Sequence, residues 1–115
     1  MADLNKTIHA ENVTINSTTY SGYLEVSATK KLHYLFIQSW DDHKKGNISD
    51  PVLIWFNGGP GCSSLLGAFQ ENGPLIVDAD GDRKFRMNGF AWNSRANMLY
   101  LEQPAGVGFS VGQTA

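Results

Sequence analysis

Residues 51–64 read Pro51-Val52-Leu53-Ile54-Trp55-Phe56-Asn57-Gly58-Gly59-Pro60-Gly61-Cys62-Ser63-Ser64. A short β-branched and aromatic run that breaks into glycines and a proline is a strand ending in a special loop. Glycine lets backbone N–H groups turn outward and approach a ligand with no Cβ in the way. A loop of this kind, feeding a helix, can hold a developing negative charge. The tetrapeptide Gly58-Gly59-Pro60-Gly61 also suits an ordinary tight turn, since turns use Gly and Pro freely, so the residues around it must decide between the two.

The neighbouring pattern places this loop inside an α/β unit. Val52–Phe56 is apolar throughout, as a strand covered on both faces should be. Ser63 to Gln70 predicts a short helix with Leu65, Leu66 and Phe69 on one face, ended by Gly73-Pro74. Asn97 to Leu101 predicts the next strand, reached through a long connection over 75–95 with turn signals at Asp80-Gly81-Asp82 and Asn88-Gly89. Strand, helix and strand in that order form a βαβ unit with parallel strands. Upstream, Tyr20–Val26 and Leu32–Ser39 predict a β-hairpin across Ser27-Ala28-Thr29-Lys30-Lys31. Residues 1–19 are polar, Asn- and Thr-rich and without periodicity. They read as a flexible arm open to glycosylation, and 41–47 as a solvated charged loop.

Length and charge narrow the function. A chain of 115 residues has room for one modest domain. A net charge of −2 and a pI near 5.8 disfavour a nucleic-acid partner. No apolar run reaches the ~18–20 residues a membrane span needs, and the first residues hold no signal-peptide core. Asn5-Lys6-Thr7, Asn12-Val13-Thr14, Asn16-Ser17-Thr18 and Asn47-Ile48-Ser49 all match the N-glycosylation pattern, which argues for the secretory pathway. The single Cys62 has no internal partner, so in a secreted chain it is a free thiol or pairs elsewhere. No Cys/His/carboxylate cluster has metal-ligand spacing, and no cofactor is expected.

The run 55–64 is joined by Glu71-Asn72-Gly73-Pro74, Trp92-Asn93, Ala96-Asn97 and Gln103-Pro104-Ala105-Gly106-Val107-Gly108-Phe109-Ser110. With these motifs the sequence closely resembles the serine carboxypeptidase family, α/β-hydrolase-fold exopeptidases that remove C-terminal residues at acid pH. The resemblance runs from about Tyr20 to Ser110 and is densest at 55–64 and 103–110. It implies that residues 20–115 are the N-terminal part of such a domain, an incomplete half-sheet made of a β-hairpin plus one βαβ unit. Its strands would lie in the spatial order one-two-four-three, leaving Val52–Phe56 at the edge. It further implies a disulfide from Cys62 to a cysteine far downstream, and a lysosomal, vacuolar or extracellular location.

Acyl transfer needs donors about 2.7–3.1 Å from the oxyanion of the tetrahedral intermediate. In α/β-hydrolases one donor comes from the loop after the third strand. The sequence alone leaves this as one of Gly58 to Gly61, and the resemblance implies the N–H of Gly59. The resemblance also assigns Asn57, the backbone of Gly58 and Glu71 to the free terminal carboxylate of a peptide substrate, with Trp55 in support. A glutamate beside a bound carboxylate works when the two share a proton and one donates, an arrangement favoured at acid pH. Residues 103–110 follow the C-terminal end of a strand, where open α/β sheets bind ligands, and read as a pocket wall.

The catalytic triad is not in this stretch. Ser63, Ser64 and Ser110 lie in no Gly-x-Ser-x-Gly elbow, and His9, His33 and His43 have no recognisable catalytic setting. Ser, Asp and His follow later in this fold's chain order. The chain alone is therefore expected to be inactive, as the N-terminal portion of a carboxypeptidase. An acyltransferase on the same scaffold and a non-catalytic binding protein are the alternatives.

Overall fold

The computed structural model describes residues 2–3, 9–10, 13–14, 17–40, 50–77 and 85–112. Asn5, Asn12, Asn16 and Asn47 lie outside the described residues, as does the charged loop 41–47.

Three two-residue strands occupy the arm: β1 (Ala2–Asp3), β2 (His9–Ala10) and β3 (Val13–Thr14). The last two pair with each other. They are followed by β4 (Thr19–Glu25), β5 (Lys31–Ile37), β6 (Val52–Trp55) and α1 (Leu65–Gln70). A hairpin of β7 (Leu75–Val77) and β8 (Phe85–Met87), a 3₁₀ turn at Trp92–Ser94 and β9 (Asn97–Leu101) complete the order. The principal sheet runs β1-β4-β5-β9-β6. β4 and β5 pair antiparallel with Tyr20 opposite Phe36, and β6 pairs parallel with β9 from Val52↔Asn97 to Trp55↔Tyr100. The four longer strands thus stand in the order one-two-four-three.

Alternation sets the core. His33, Leu35 and Ile37 of β5 and Met98 and Tyr100 of β9 are buried, while their neighbours along each strand are mostly half-buried. Leu35, Ile37, Met98 and Tyr100 cluster with Ala68 and Ala96, and Trp55, Leu65 and Phe69 pack against them. This is the period-two burial of a sheet with a helix laid on one face.

Four expectations change. The helix is shorter than 63–70: Ser63 and Ser64 precede it and spend their hydroxyls on Glu102, Asn57 and Leu101. Its inward residues include Gly67 and Ala68, whereas Leu66 is exposed. A Cβ on Gly67 would stand 2.2 Å from Trp55 Nε1, so the indole lies directly on the helix backbone. Residues 75–95 are not one irregular connection: β7 and β8 pair within them. β6 stands at the sheet edge as expected, but Val52, Leu53, Ile54 and Phe56, expected to be covered on both faces, are exposed among the described residues. The cover that its composition calls for is not supplied by the described residues.

Candidate functional site

The strands β6 and β9 end side by side, and the two loops that leave them face each other. The loop after β6 turns at Gly59 (φ +132°) and Gly61 (φ +108°), in the left-handed region that favours glycine. A Cβ on Gly58 or Gly61 would meet nothing within 4 Å, so this backbone is open to an approaching ligand. Pro60 and Gly61 from one loop, Pro104, Ala105, Gly106 and Val107 from the other, and Gly112 line a cleft of about 640 Å³. Of the run 103–110, expected as a pocket wall, Pro104 to Val107 line this cleft.

Two serines fasten the loop. Ser64 is buried; its hydroxyl accepts from the N–H of Asn57 at 3.1 Å and donates to the carbonyl of Leu101 at 2.5 Å. The entrance and exit of the glycine run are thereby tied to one point at the end of β9. Ser63 donates to the Glu102 carboxylate and accepts from Leu65 N–H at 3.2 Å. A buried hydroxyl that both donates and accepts leaves no unsatisfied polar atom of its own.

Trp55 and Asn57 are brought together directly, Nε1 donating to Oδ1 at 3.1 Å. The half-buried indole also packs edge-on against Trp92 at 5.6 Å. Gly58 and Gly59 follow in the same loop. Glu71 stands apart: it is exposed at the C-terminal end of α1, its backbone N–H on Gly67 O at 3.2 Å. Among the described residues no hydrogen bond joins its carboxylate to Asn57. The link runs instead through the helix, whose Gly67 carries the Trp55 ring. Cys62 is exposed and free beside Gly59.

The structure adds residues that the sequence reading left without a role. His33 is buried on β5, where Nε2 is 2.7 Å from Ser21 Oγ and Nδ1 is 2.8 Å from Glu102 Oε2. Hydroxyl, imidazole and carboxylate in this order repeat the spacing of a nucleophile, base and orienting acid. Ser21, however, lies in mid-strand between β1 and β5, and the His33 ring is flanked by Tyr23 and Phe109 at 5.5 and 5.4 Å. A strand interior spends its N–H groups on its neighbours, which leaves no donors to form an oxyanion hole. The trio is a strut. Its only signal in the sequence was a histidine on an otherwise apolar strand and a glutamate at a strand end.

Three asparagines brace the surroundings. Asn72 Oδ1 accepts from the Tyr100 hydroxyl at 2.8 Å, and burial pushes that phenol well above its ordinary pKa, keeping it a donor. Asn93 Nδ2 reaches Ser17 Oγ and Gln38 O, and Asn97 spans Ser39 N and Asp50 O. Among the described residues no group of three or more His, Cys, Asp or Glu could hold a metal ion, and no helix is long and apolar enough to cross a membrane.

Comparison with known proteins gives the family. The serine carboxypeptidase family model matches residues 10–115. A serine carboxypeptidase of Caenorhabditis elegans, ctsa-3.1, is 48% identical over 101 residues, covering 86% of this chain and 17% of that protein. The lysosomal protective protein of Mus musculus is 52% identical over 91 residues, covering 79% of this chain and 18% of its own. The crystal structure of KEX1(DELTA)P, a prohormone-processing carboxypeptidase from Saccharomyces cerevisiae, superposes with a TM-score of 0.67 at 33% identity, over 81% of this chain and 20% of that one. The chain thus spans about a fifth or less of the length of these relatives. With the family model matching nearly the whole sequence, the chain belongs to the serine carboxypeptidase family.

Proposed function

We propose that this chain forms one wall of the active site of a serine-type carboxypeptidase, which releases C-terminal residues from peptides through an acyl-enzyme at acid pH. Residues 20–115 are the N-terminal part of its α/β-hydrolase domain, an incomplete half-sheet, and 1–19 an arm ahead of it. The triad comes from polypeptide beyond the segment present here. In this reading Gly59 N–H is one oxyanion donor. Asn57, the Gly58 backbone and Glu71 hold the substrate's terminal carboxylate, with Trp55 fixing the Asn57 amide. Cys62 pairs with a distant cysteine, Asn5, Asn12, Asn16 and Asn47 carry glycans, and the protein works in a lysosome, a vacuole or outside the cell.

The observation that carries the reading is the double tether of Ser64 on Asn57 and Leu101. Preorganised donors lower a barrier because they need no reorganisation when charge develops. A glycine loop serves that purpose only if both ends are fixed, as they are here. The test is hydrolysis of a blocked dipeptide by the polypeptide that carries this chain, with and without an added alcohol acceptor. Release of the free terminal amino acid supports the reading. Ester formation in its place would make the protein an acyltransferase, and turnover in neither assay would leave it a binding protein.

A further inference from the structure

We propose that Glu102 is a positioning residue that sets the width of the cleft, holding the glycine loop and the facing loop on a single buried carboxylate. The inference rests on the reading of Gly59 as an oxyanion donor. Glu102 is fully buried at the end of β9. Its Oε1 accepts from Ser63, at the exit of the glycine loop, and its Oε2 accepts from the Phe109 N–H at 3.0 Å, in the opposite loop. Oε2 also accepts from His33 Nδ1 at 2.8 Å, and Ser21 Oγ holds the far side of that imidazole. The backbone repeats the junction: Ser110 Oγ donates to Glu102 O at 2.6 Å and accepts from His33 N–H at 2.8 Å. Gly108 makes room for it. At φ +56° a Cβ there would stand 2.0 Å from Glu102 Oε1, so the facing loop is laid directly over the carboxylate.

Three donors from three segments converge on one group, and only a carboxylate accepts all three. An amide of the same size has one oxygen, so Glu102→Gln must turn an N–H donor toward Ser63 or toward His33 and Phe109. Stability alone does not call for a buried carboxylate here, because buried charge costs desolvation and well-packed apolar groups often serve as well. What the carboxylate adds is registration of two loops to one atom pair. A donor displaced by about 1 Å can cost up to about 10²-fold in rate, and that loss appears in kcat because the misaligned contact matters most in the transition state.

The experiment uses the polypeptide carrying this chain, as wild type, Glu102→Gln and Ser63→Ala. Steady-state kinetics on a blocked dipeptide are combined with amide hydrogen exchange over residues 57–64, 104–110 and β9. The expected result for Glu102→Gln is a kcat lowered roughly 10- to 100-fold with KM changed by less than about three-fold. Exchange speeds up in both loops while β9 stays protected. Ser63→Ala cuts one tether only, so exchange speeds up at 57–64 and not at 104–110. The proposal is overturned if both loops keep wild-type exchange, if only KM changes, or if protection falls equally in β9. Should Glu102→Gln not fold, Ser63→Ala decides by the same comparison. A wild type without turnover would remove the oxyanion reading, and the exchange data would still decide whether Glu102 holds the two loops.

Discussion

The indole of Trp55 lies against the backbone of Gly67, so closely that a Cβ at Gly67 would fall 2.2 Å from Nε1. One contact therefore fixes the helix α1 and aims Nε1 at Asn57 Oδ1, 3.1 Å away. Gly67→Ala should force the ring to move. Overpacking a well-filled site costs about 1–3 kcal/mol, more than alanine's gain in helix propensity of about 1 kcal/mol returns. Chemical denaturation of the protein carrying this chain should show a net loss, and a variant as stable as wild type would contradict the contact.

Ser64→Ala removes a hydroxyl that serves Asn57 and Leu101 at once. Stranding a buried donor or acceptor costs about 1–3 kcal/mol for each group. The melting temperature should fall and the glycine loop should exchange faster. Ser64→Thr keeps the hydroxyl, so it should keep more of the loop's protection than alanine does. Equal exchange in the two variants would show that the tether is not what holds the loop.

Much of this site was legible in the sequence. The abrupt change from Ile54-Trp55-Phe56 to Gly58-Gly59-Pro60-Gly61 marks a strand end and a loop by composition alone, and hairpin and βαβ pairing follow from the order of apolar runs. Pairing between β7 and β8 was not legible, since three-residue strands carry no usable period. The inward turn of Gly67 and Ala68 was hidden because small residues on a helix give little hydrophobic signal; Gly67 lies under the ring of Trp55 and Ala68 joins the core cluster. The strut of Ser21, His33 and Glu102 was invisible for a different reason. His33 and Glu102 stand 69 positions apart along the chain, and only strand register brings them together.

The edge strand makes a prediction about the chain by itself. Val52, Leu53, Ile54 and Phe56 present an exposed apolar edge among the described residues, with no charge to blunt it. Such an edge invites pairing with another chain. The isolated 115-residue chain should bind hydrophobic dyes and run as oligomers on sizing, in part reversed by reductant acting on Cys62. Ile54→Lys should lower the association. A dispersed monomer with a sharp cooperative melt would contradict this and favour a self-sufficient binding domain.

Expression through a secretory pathway tests the four acceptor sites. Asn5, Asn12, Asn16 and Asn47 should yield a protein whose mass falls on enzymatic deglycosylation, and replacing each asparagine by glutamine should remove one step. A mass equal to that of the bare polypeptide would argue against the secretory assignment.

The central claim is that this chain reads a free terminal carboxylate, and the most direct measurement compares a blocked dipeptide with its C-terminal amide. Both are to be assayed with the polypeptide carrying this chain, as wild type and Glu71→Ala. A charge-assisted hydrogen bond is worth roughly 1.5–3 kcal/mol, or about 10- to 150-fold. Wild type should prefer the free acid, and Glu71→Ala should lose about that factor in kcat/KM on the acid while the amide changes little. Equal losses on the two substrates, or a wild type indifferent to the terminal charge, would contradict the carboxylate-binding role.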